Sequence, residues 1–368
     1  MDVVITTSII AFIFSILDSK GIFKYGLLLC FILISIPLII HYDYGNDYMP
    51  YYYSFKEHTG MGTSWEDVFR NNAIRNNEYM WGLIMMFFSI FGKNGFFIMV
   101  ATLSIIEATI YYKFIVRYIS RKWRWLAVFV FLFSPTFYLL MFSMLRQSLT
   151  IALFLFVFTL IEKRKFLLSL MLIFLLSYIH SSALILFPFI LIPLIPLDKT
   201  KSVAIILLIL FIICVASKEF LSTFFNFFSS IEKVSNYADI YKNSRDTMNL
   251  GFGFLLSSIP FLIYLNFLYN DISTKRDSQG IVTMASLYFI VLPFSQIIPL
   301  IARVAYYFEA FSIIAIPLTY SRIKIEQLKY VVIAIMILMT LLGYFGFFNS
   351  DVFRVPYKEF HTIFSEWS

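Results

Sequence analysis

Apolar residues along this chain fall into long, nearly unbroken runs, and polar residues are confined to the gaps between them. The runs lie at 3–17, 23–41, 96–118, 125–142, 147–161, 166–180, 182–197, 202–217, 251–270, 281–300, 304–320 and 330–348. An apolar stretch of roughly 18 residues or more is long enough for a helix to cross a hydrocarbon core about 30 Å thick. The pattern predicts an all-α polytopic membrane protein of about 12 transmembrane helices, forming a single integral-membrane domain over 1–368. The run 79–91 is too short to cross. Asn71, Asn72, Asn76, Asn77 and Glu78 precede it and Lys93-Asn94 follow it, which predicts a short amphipathic helix on the membrane surface. The first run, 3–17, has no basic segment before it and no small-residue cleavage signal, so it is expected to remain as a span.

Composition agrees with this picture. Of 368 residues, 60% are hydrophobic and 14% charged, against about 25% charged in soluble domains. That excludes a soluble globule, a disordered chain and a secreted disulfide scaffold, and leaves no room for a separate soluble catalytic domain. The two cysteines, Cys30 and Cys214, lie inside apolar runs and imply neither a disulfide framework nor a zinc site. The net charge of +7 does not point to nucleic acid, because the basic residues are scattered over short loops instead of forming a stripe. They set membrane orientation instead. With 79–91 left out of the spans, one face collects Lys20, Lys24, the Arg117–Arg124 cluster, Lys163-Arg164-Lys165, Lys199, Lys201, Lys275, Arg276, Arg322, Lys324 and Lys329. That face is predicted to be cytoplasmic. The outer side then receives both termini and the long connections: the loop 42–95, a second loop 218–250 and the tail 349–368. Material for a site is therefore expected outside.

The first outer loop holds six tyrosines and two aspartates within residues 42–53. Carboxylates accept hydrogen bonds from hydroxyls and aromatic faces cover sugar rings; an interfacial tyrosine belt is the plainer reading of the same residues. The Asp43/Gly45/Asp47 spacing lacks the EF-hand pattern and its terminal Glu, so a calcium loop is set aside. Arg146 and Arg303 each fall at the outer start of an apolar run. A guanidinium there adds to the positive end of a helix and suits a phosphate or pyrophosphate. Snorkelling arginine is the alternative, though outer-face arginine runs against the positive-inside bias. His180 closes the run 166–180 and is a candidate general base or phosphate donor, or a structural histidine. The four histidines show no metal-ligand spacing, and no metal or cofactor is expected. Glu107 and Glu309, inside apolar runs, are expected to pair with polar neighbours, Glu309 bracing Arg303. No GxSxG elbow, P-loop, GxGxxG or HExxH motif occurs.

Several segments occur together in a familiar order. They are the tyrosine-rich Asp43–Tyr53 stretch, Arg146-Gln147-Ser148-Leu149-Thr150-Ile151-Ala152, Ile179-His180-Ser181-Ser182-Ala183-Leu184, Arg303 with Tyr306-Tyr307, and Pro356-Tyr357. This set resembles the EpsG family, which is grouped with the Wzy-type polymerases of bacterial polysaccharide export. The resemblance covers most of the chain. One departure is that Ser148 and Thr150 thin the usual alanine-rich context of the Arg-Gln motif.

The resemblance implies a glycosyltransferase, GT-C-like in fold, that joins oligosaccharide repeat units carried on undecaprenyl pyrophosphate. It would act at the outer face of the bacterial cytoplasmic membrane. Arg146, with Asp47 or His180, would be catalytic; Arg303, Tyr48, Tyr51, Gln147, Tyr306, Tyr307 and Tyr357 would contact substrate. Its expected partners are the lipid-linked oligosaccharides, membrane lipid, a chain-length regulator and a flippase. Two other functions share much of this pattern. An O-antigen-type ligase usually carries a larger late outer loop. A flippase or other secondary transporter tends to show two related halves and polar residues at mid-membrane depth, whereas the candidate residues here gather near one surface and no repeat is apparent.

Overall fold

The computed structural model describes residues 2–59, 66, 78–195, 199–216, 252–270, 276–296 and 301–364. The expected loop 218–250 and residues 60–65 and 67–77 of the first loop lie outside that set. Among the described residues the secondary structure is helical apart from one short strand pair.

The chain divides into two compact units, 1–190 with 337–368, and 191–336. In the first unit α1 (Asp2–Ser19) packs on α2 (Gly26–Ile40), and the chain then turns through β1 (His41–Tyr42) into α3 (Tyr48–Thr59). Next come α4 (Tyr79–Ser89), α5 (Gly95–Tyr118), α6 (Arg124–Phe133), the single turn α7 (Leu140–Ser143), α8 (Leu145–Glu162) and α9 (Phe166–Ser177). Helix α5 is central, packing against α2, α4 and α8. In the second unit, α10 (Thr200–Ala216), α11 (Phe252–Ser257), α12 (Ile259–Asn270), α13 (Arg276–Val291), α14 (Ile301–Glu309) and α15 (Ser312–Ser321) precede α16 (Glu326–Asn349), which ends in the first unit. Strand β2 (His361–Thr362) closes the described chain.

Burial is inverted relative to a soluble bundle. Exposed apolar side chains recur at helical spacing, as in Leu28, Ile32 and Ile36 of α2 or Leu338, Leu342 and Phe345 of α16. Ser8, Ser15, Ser35, Ser104, Ser148 and Thr150 are buried. Most of these hydroxyls return to backbone carbonyls within their own helix, as Ser35 does to Phe31 at 2.7 Å. Small polar groups inside and bare isoleucine and leucine outside are the pattern of helices solvated by lipid. The protein is a membrane protein. Among the described residues, four helices are long and apolar enough to cross a bilayer alone, or five if α14 and α15 form one bent span. The remaining apolar helices are shorter.

Several runs expected as single helices are broken, and proline accounts for three of the breaks. The run 125–142 divides at Pro135, which forces Ser134 into extended backbone (ψ 129°) and leaves α6 and α7 on either side of a turn. The run 182–197 forms a 3-10 segment, Ser181–Leu194, in which Pro188 and Pro193 remove helix donors. The run 251–270 divides before Pro260, in the first turn of α12. The run 304–320 bends by 45° between α14 and α15. Helix α4 forms where the short run predicts it. It carries no charge: Trp81, Gly82, Met85, Met86 and Phe88 are buried while Phe87 is exposed.

The tail is fastened to the loop that follows α2. His41 pairs with Thr362 and Tyr42 with His361, and the Gly45 N–H donates to the Pro356 carbonyl at 3.1 Å. Gly45 has φ +106°, and a Cβ there would meet Ser143 Cβ at 2.8 Å. Only glycine permits this loop to lie so close to the turn leading into α8.

Candidate functional site

Arg146 lies in the first turn of α8, two residues after the N-cap Met144. The first helical bond there runs from the Ser148 N–H to the Met144 carbonyl, so the preceding N–H groups have no helical acceptor within α8. The side chain is directed by two elements far away in sequence. Its Nε donates to the Tyr51 hydroxyl at 3.2 Å, and its guanidinium lies over the Tyr51 ring, 5.2 Å from the centroid. Tyr51 is in turn propped edge-on against Trp81 of α4, centroids 5.7 Å apart. The Arg146 Nη1 donates to Oε2 of Glu78.

Glu78 is the centre of the arrangement, and the sequence reading did not single it out. It occupies the N-cap position of α4 but does not cap that helix. The first free N–H groups of α4, on Met80 and Trp81, donate instead to the Tyr178 carbonyl at 3.0 and 3.2 Å. This docks α4 on the turn after α9 and frees the Glu78 carboxylate to reach across. Its Oε1 accepts from the Ser181 N–H at 3.1 Å and from His180 Nδ1 at 2.9 Å. Glu78 thereby caps the segment that begins at Ser181 and joins Arg146 to His180. The Glu78 side chain is 3% exposed, against 25% for Arg146 and 18% for His180.

Burial pushes the Glu78 carboxyl up, but the hydrogen bond from His180, the Arg146 charge and the Ser181 N–H outweigh it and hold it below its ordinary value. Because Nδ1 of His180 faces the carboxylate, neutral His180 keeps its lone pair on Nε2, the nitrogen that accepts a proton. An open groove of about 260 Å³ flanks the cluster, walled by Tyr79, Met80, Leu83 and Tyr178. The arrangement provides a cation, a base held by a carboxylate and an aromatic-aliphatic wall at one place.

The other candidate residues divide between site and scaffold. The Asp47 N–H donates to Ser143 Oγ at 3.0 Å and its carbonyl accepts from the Tyr51 N–H, so Asp47 ties α3 to the approach of α8. Tyr48 is fully buried against His41 and Phe96, its hydroxyl donating to the His41 carbonyl at 3.0 Å. Tyr357 is buried against Tyr44 and donates to the Leu139 carbonyl at 3.2 Å. Gln147 is buried beside Arg146 in α8. These last three are held in the interior of the fold, not on an open surface where a sugar would lie.

Arg303 belongs to the second unit. It is exposed in the first turn of α14, with Tyr306 one turn on, half-buried and subject to the charges of both Arg303 and Glu309; Tyr307 is fully buried. Glu107 meets the polar neighbour expected of it, accepting from Ser148 Oγ on α8 at 2.9 Å.

A family model for the EpsG family matches residues 6–358. The chain belongs to the EpsG family. No curated protein and no solved structure matches it. The EpsG match spans every residue of the Arg146, Glu78, Tyr51 and His180 cluster as well as Arg303 and Tyr357.

The signal that could have revealed Glu78 is local. It is the one acidic residue between Asp67 and Glu107, and it abuts an apolar helix.

Proposed function

We propose that this EpsG-family protein is a membrane glycosyltransferase polymerising undecaprenyl-pyrophosphate-linked oligosaccharide repeat units at the outer face of the bacterial cytoplasmic membrane. The observation that carries the reading is the single buried carboxylate gathering Arg146 and His180, a cation and a base, beside an aromatic groove. Membership of the EpsG family supports a polysaccharide polymerase role in general.

In the proposed reaction the acceptor sugar hydroxyl attacks the anomeric carbon of the lipid-linked donor chain. The new C–O bond forms as the bond to the pyrophosphate breaks, and its electron pair leaves with the pyrophosphate. Arg146, reinforced by the positive end of α8, neutralises that leaving group. The hydroxyl proton passes to Nε2 of His180, and Glu78 balances the imidazolium. Asp47 acts through the α3–α8 junction. Arg303, in the second unit, is proposed as a substrate-binding cation in its own right, with the Tyr306 hydroxyl one turn on. Tyr51, Tyr79 and Tyr178 offer aromatic surface for sugar or for the first isoprenoid units of the carrier.

The outer-face assignment draws on charge. The cluster lies at the start of α8, about 24 Å along the helix from Glu162 at its other end. That other end carries Arg117, with Arg121 and Arg124 following α5, the basic face expected to be cytoplasmic. A chain-length regulator and a flippase are the proposed protein partners.

The test is purified protein in lipid nanodiscs incubated with a defined lipid-linked repeat unit. A ladder of products on a gel is expected. Folded protein that yields no ladder, but moves the intact lipid-linked unit across a vesicle membrane, overturns polymerisation in favour of transport.

A further inference from the structure

The two oxygens of Glu78 are not equivalent. Oε1 is held by two donors with little freedom, the Ser181 backbone N–H at 3.1 Å and the His180 ring at 2.9 Å. Oε2 is held by Arg146, a long side chain that is a quarter exposed. A buried carboxylate beside the arginine also competes with any anion arriving there, since like charges at contact distance repel strongly in a low-dielectric site.

We propose that Glu78 is a positioning residue and an internal counter-anion: in the empty site it holds Arg146, and on arrival of a diphosphate it yields Arg146 to the ligand while keeping His180. This deepens the polymerase reading and rests on it. In the exchange one cation serves two anions in turn, and the second cation on Glu78 appears only when His180 is protonated. Before binding, Glu78 neutralises Arg146. With the diphosphate bound, Arg146 pairs with phosphate oxygens through its planar fork. Once His180 has taken the acceptor's proton, the freed carboxylate charge pairs with the imidazolium. One residue thus serves the anion site and the base in turn, and Tyr51, under the guanidinium, keeps Arg146 near both positions.

The exchange predicts a split that a merely structural brace would not produce. Glu78→Gln keeps the side-chain shape but removes the competing charge. Detergent-purified E78Q is expected to bind farnesyl pyrophosphate several-fold more tightly than the unsubstituted protein by isothermal titration calorimetry. Turnover of a lipid-linked repeat unit is expected to fall by about 10²-fold or more, because His180 loses its counter-charge. Glu78→Asp retains the charge on a shorter arm that competes less well for Arg146. It is expected to bind the probe at least as tightly as the unsubstituted protein and to retain more turnover than E78Q; should E78Q fail to insert, this variant decides. Equal or weaker probe binding in E78Q, or weaker binding in E78D, overturns the exchange. If the probe binds the unsubstituted protein but no ladder is ever made, polymerisation fails and the exchange stands on the binding data. If the probe binds neither the unsubstituted protein nor the variants, the exchange falls, and the ladder assay alone decides the polymerase reading.

Discussion

The two ends of α8 carry similar chemistry and put it to different use. At its C-terminal end, Glu162 accepts from the Tyr118 hydroxyl and pairs with Arg117 at 3.5 Å, and nearby Asp18 takes Arg121 at 3.2 Å and Arg124 at 3.6 Å. At its N-terminal end, Glu78 takes Arg146 and His180. Both ends pair nearly buried carboxylates with arginine. The difference lies in the third component. The basic end pairs carboxylates with arginines alone, beside a loop rich in lysine and arginine, an arrangement suited to fixing helices. The other end adds a histidine and an aromatic groove. An arginine–carboxylate pair is therefore weak evidence for a site by itself; the titratable partner and the adjoining cavity distinguish the two ends.

The largest expected consequence of that difference is at Arg146. Arg146→Ala removes the cation and strands the buried Glu78 charge. Polymer formation should drop by about 10³-fold or more, read as disappearance of the ladder in protein that still inserts; a surviving ladder would remove Arg146 from the pyrophosphate role. His180→Ala should lower turnover by about 10²-fold with affinity for the lipid-linked donor within a few-fold of the unsubstituted protein. Loss of donor affinity instead would make His180 a binding residue.

Asp18→Asn probes the opposite end. It should cost about 1 kcal/mol of stability, since both arginine partners are partly exposed and screened. Thermal unfolding in detergent would measure this, and product length should not change; a shortened ladder would show that the two ends are coupled.

The smallest effect is on acid stability. Glu78 is depressed in the folded protein, so its contribution is fully present above the unfolded value near 4.5 and is lost as pH falls through the lower folded value. Thermal unfolding followed downward from pH 5 should therefore decline more steeply in the unsubstituted protein than in E78Q. Parallel curves would mean that the carboxylate gains nothing from its partners.

Much of the fold was legible because lipid-facing helices need long apolar runs, and 79–91, 96–118, 147–161 and 330–348 each appear as a helix within a few residues of the expected limits. Where the expectation faltered, at 125–142 and 182–197, the cause was also written in the chain as Pro135, Pro188 and Pro193. An apolar run reports hydrophobicity, whereas helix continuity also needs backbone donors.

The site was only partly legible. Arg146, Tyr51 and His180 stood out because their residue types are unusual at the edge of an apolar run or cluster in an aromatic loop. Tyr48 and Tyr357 carried the same signal and were folded inward, for nothing local distinguishes a tyrosine lining a path from one whose hydroxyl meets a carbonyl across the core.

Hydropathy, proline placement and loop charge belong to the sequence alone: they set the membrane as solvent, the order of the helices and the residues gathered near the expected outer surface. Tertiary structure decided which of those residues meet. Glu78 lies 68 residues from Arg146 and 102 from His180. No periodicity links them, and the contact exists only because α4 borrows the Tyr178 carbonyl to cap its own N–H groups and so releases its carboxylate to the neighbouring elements.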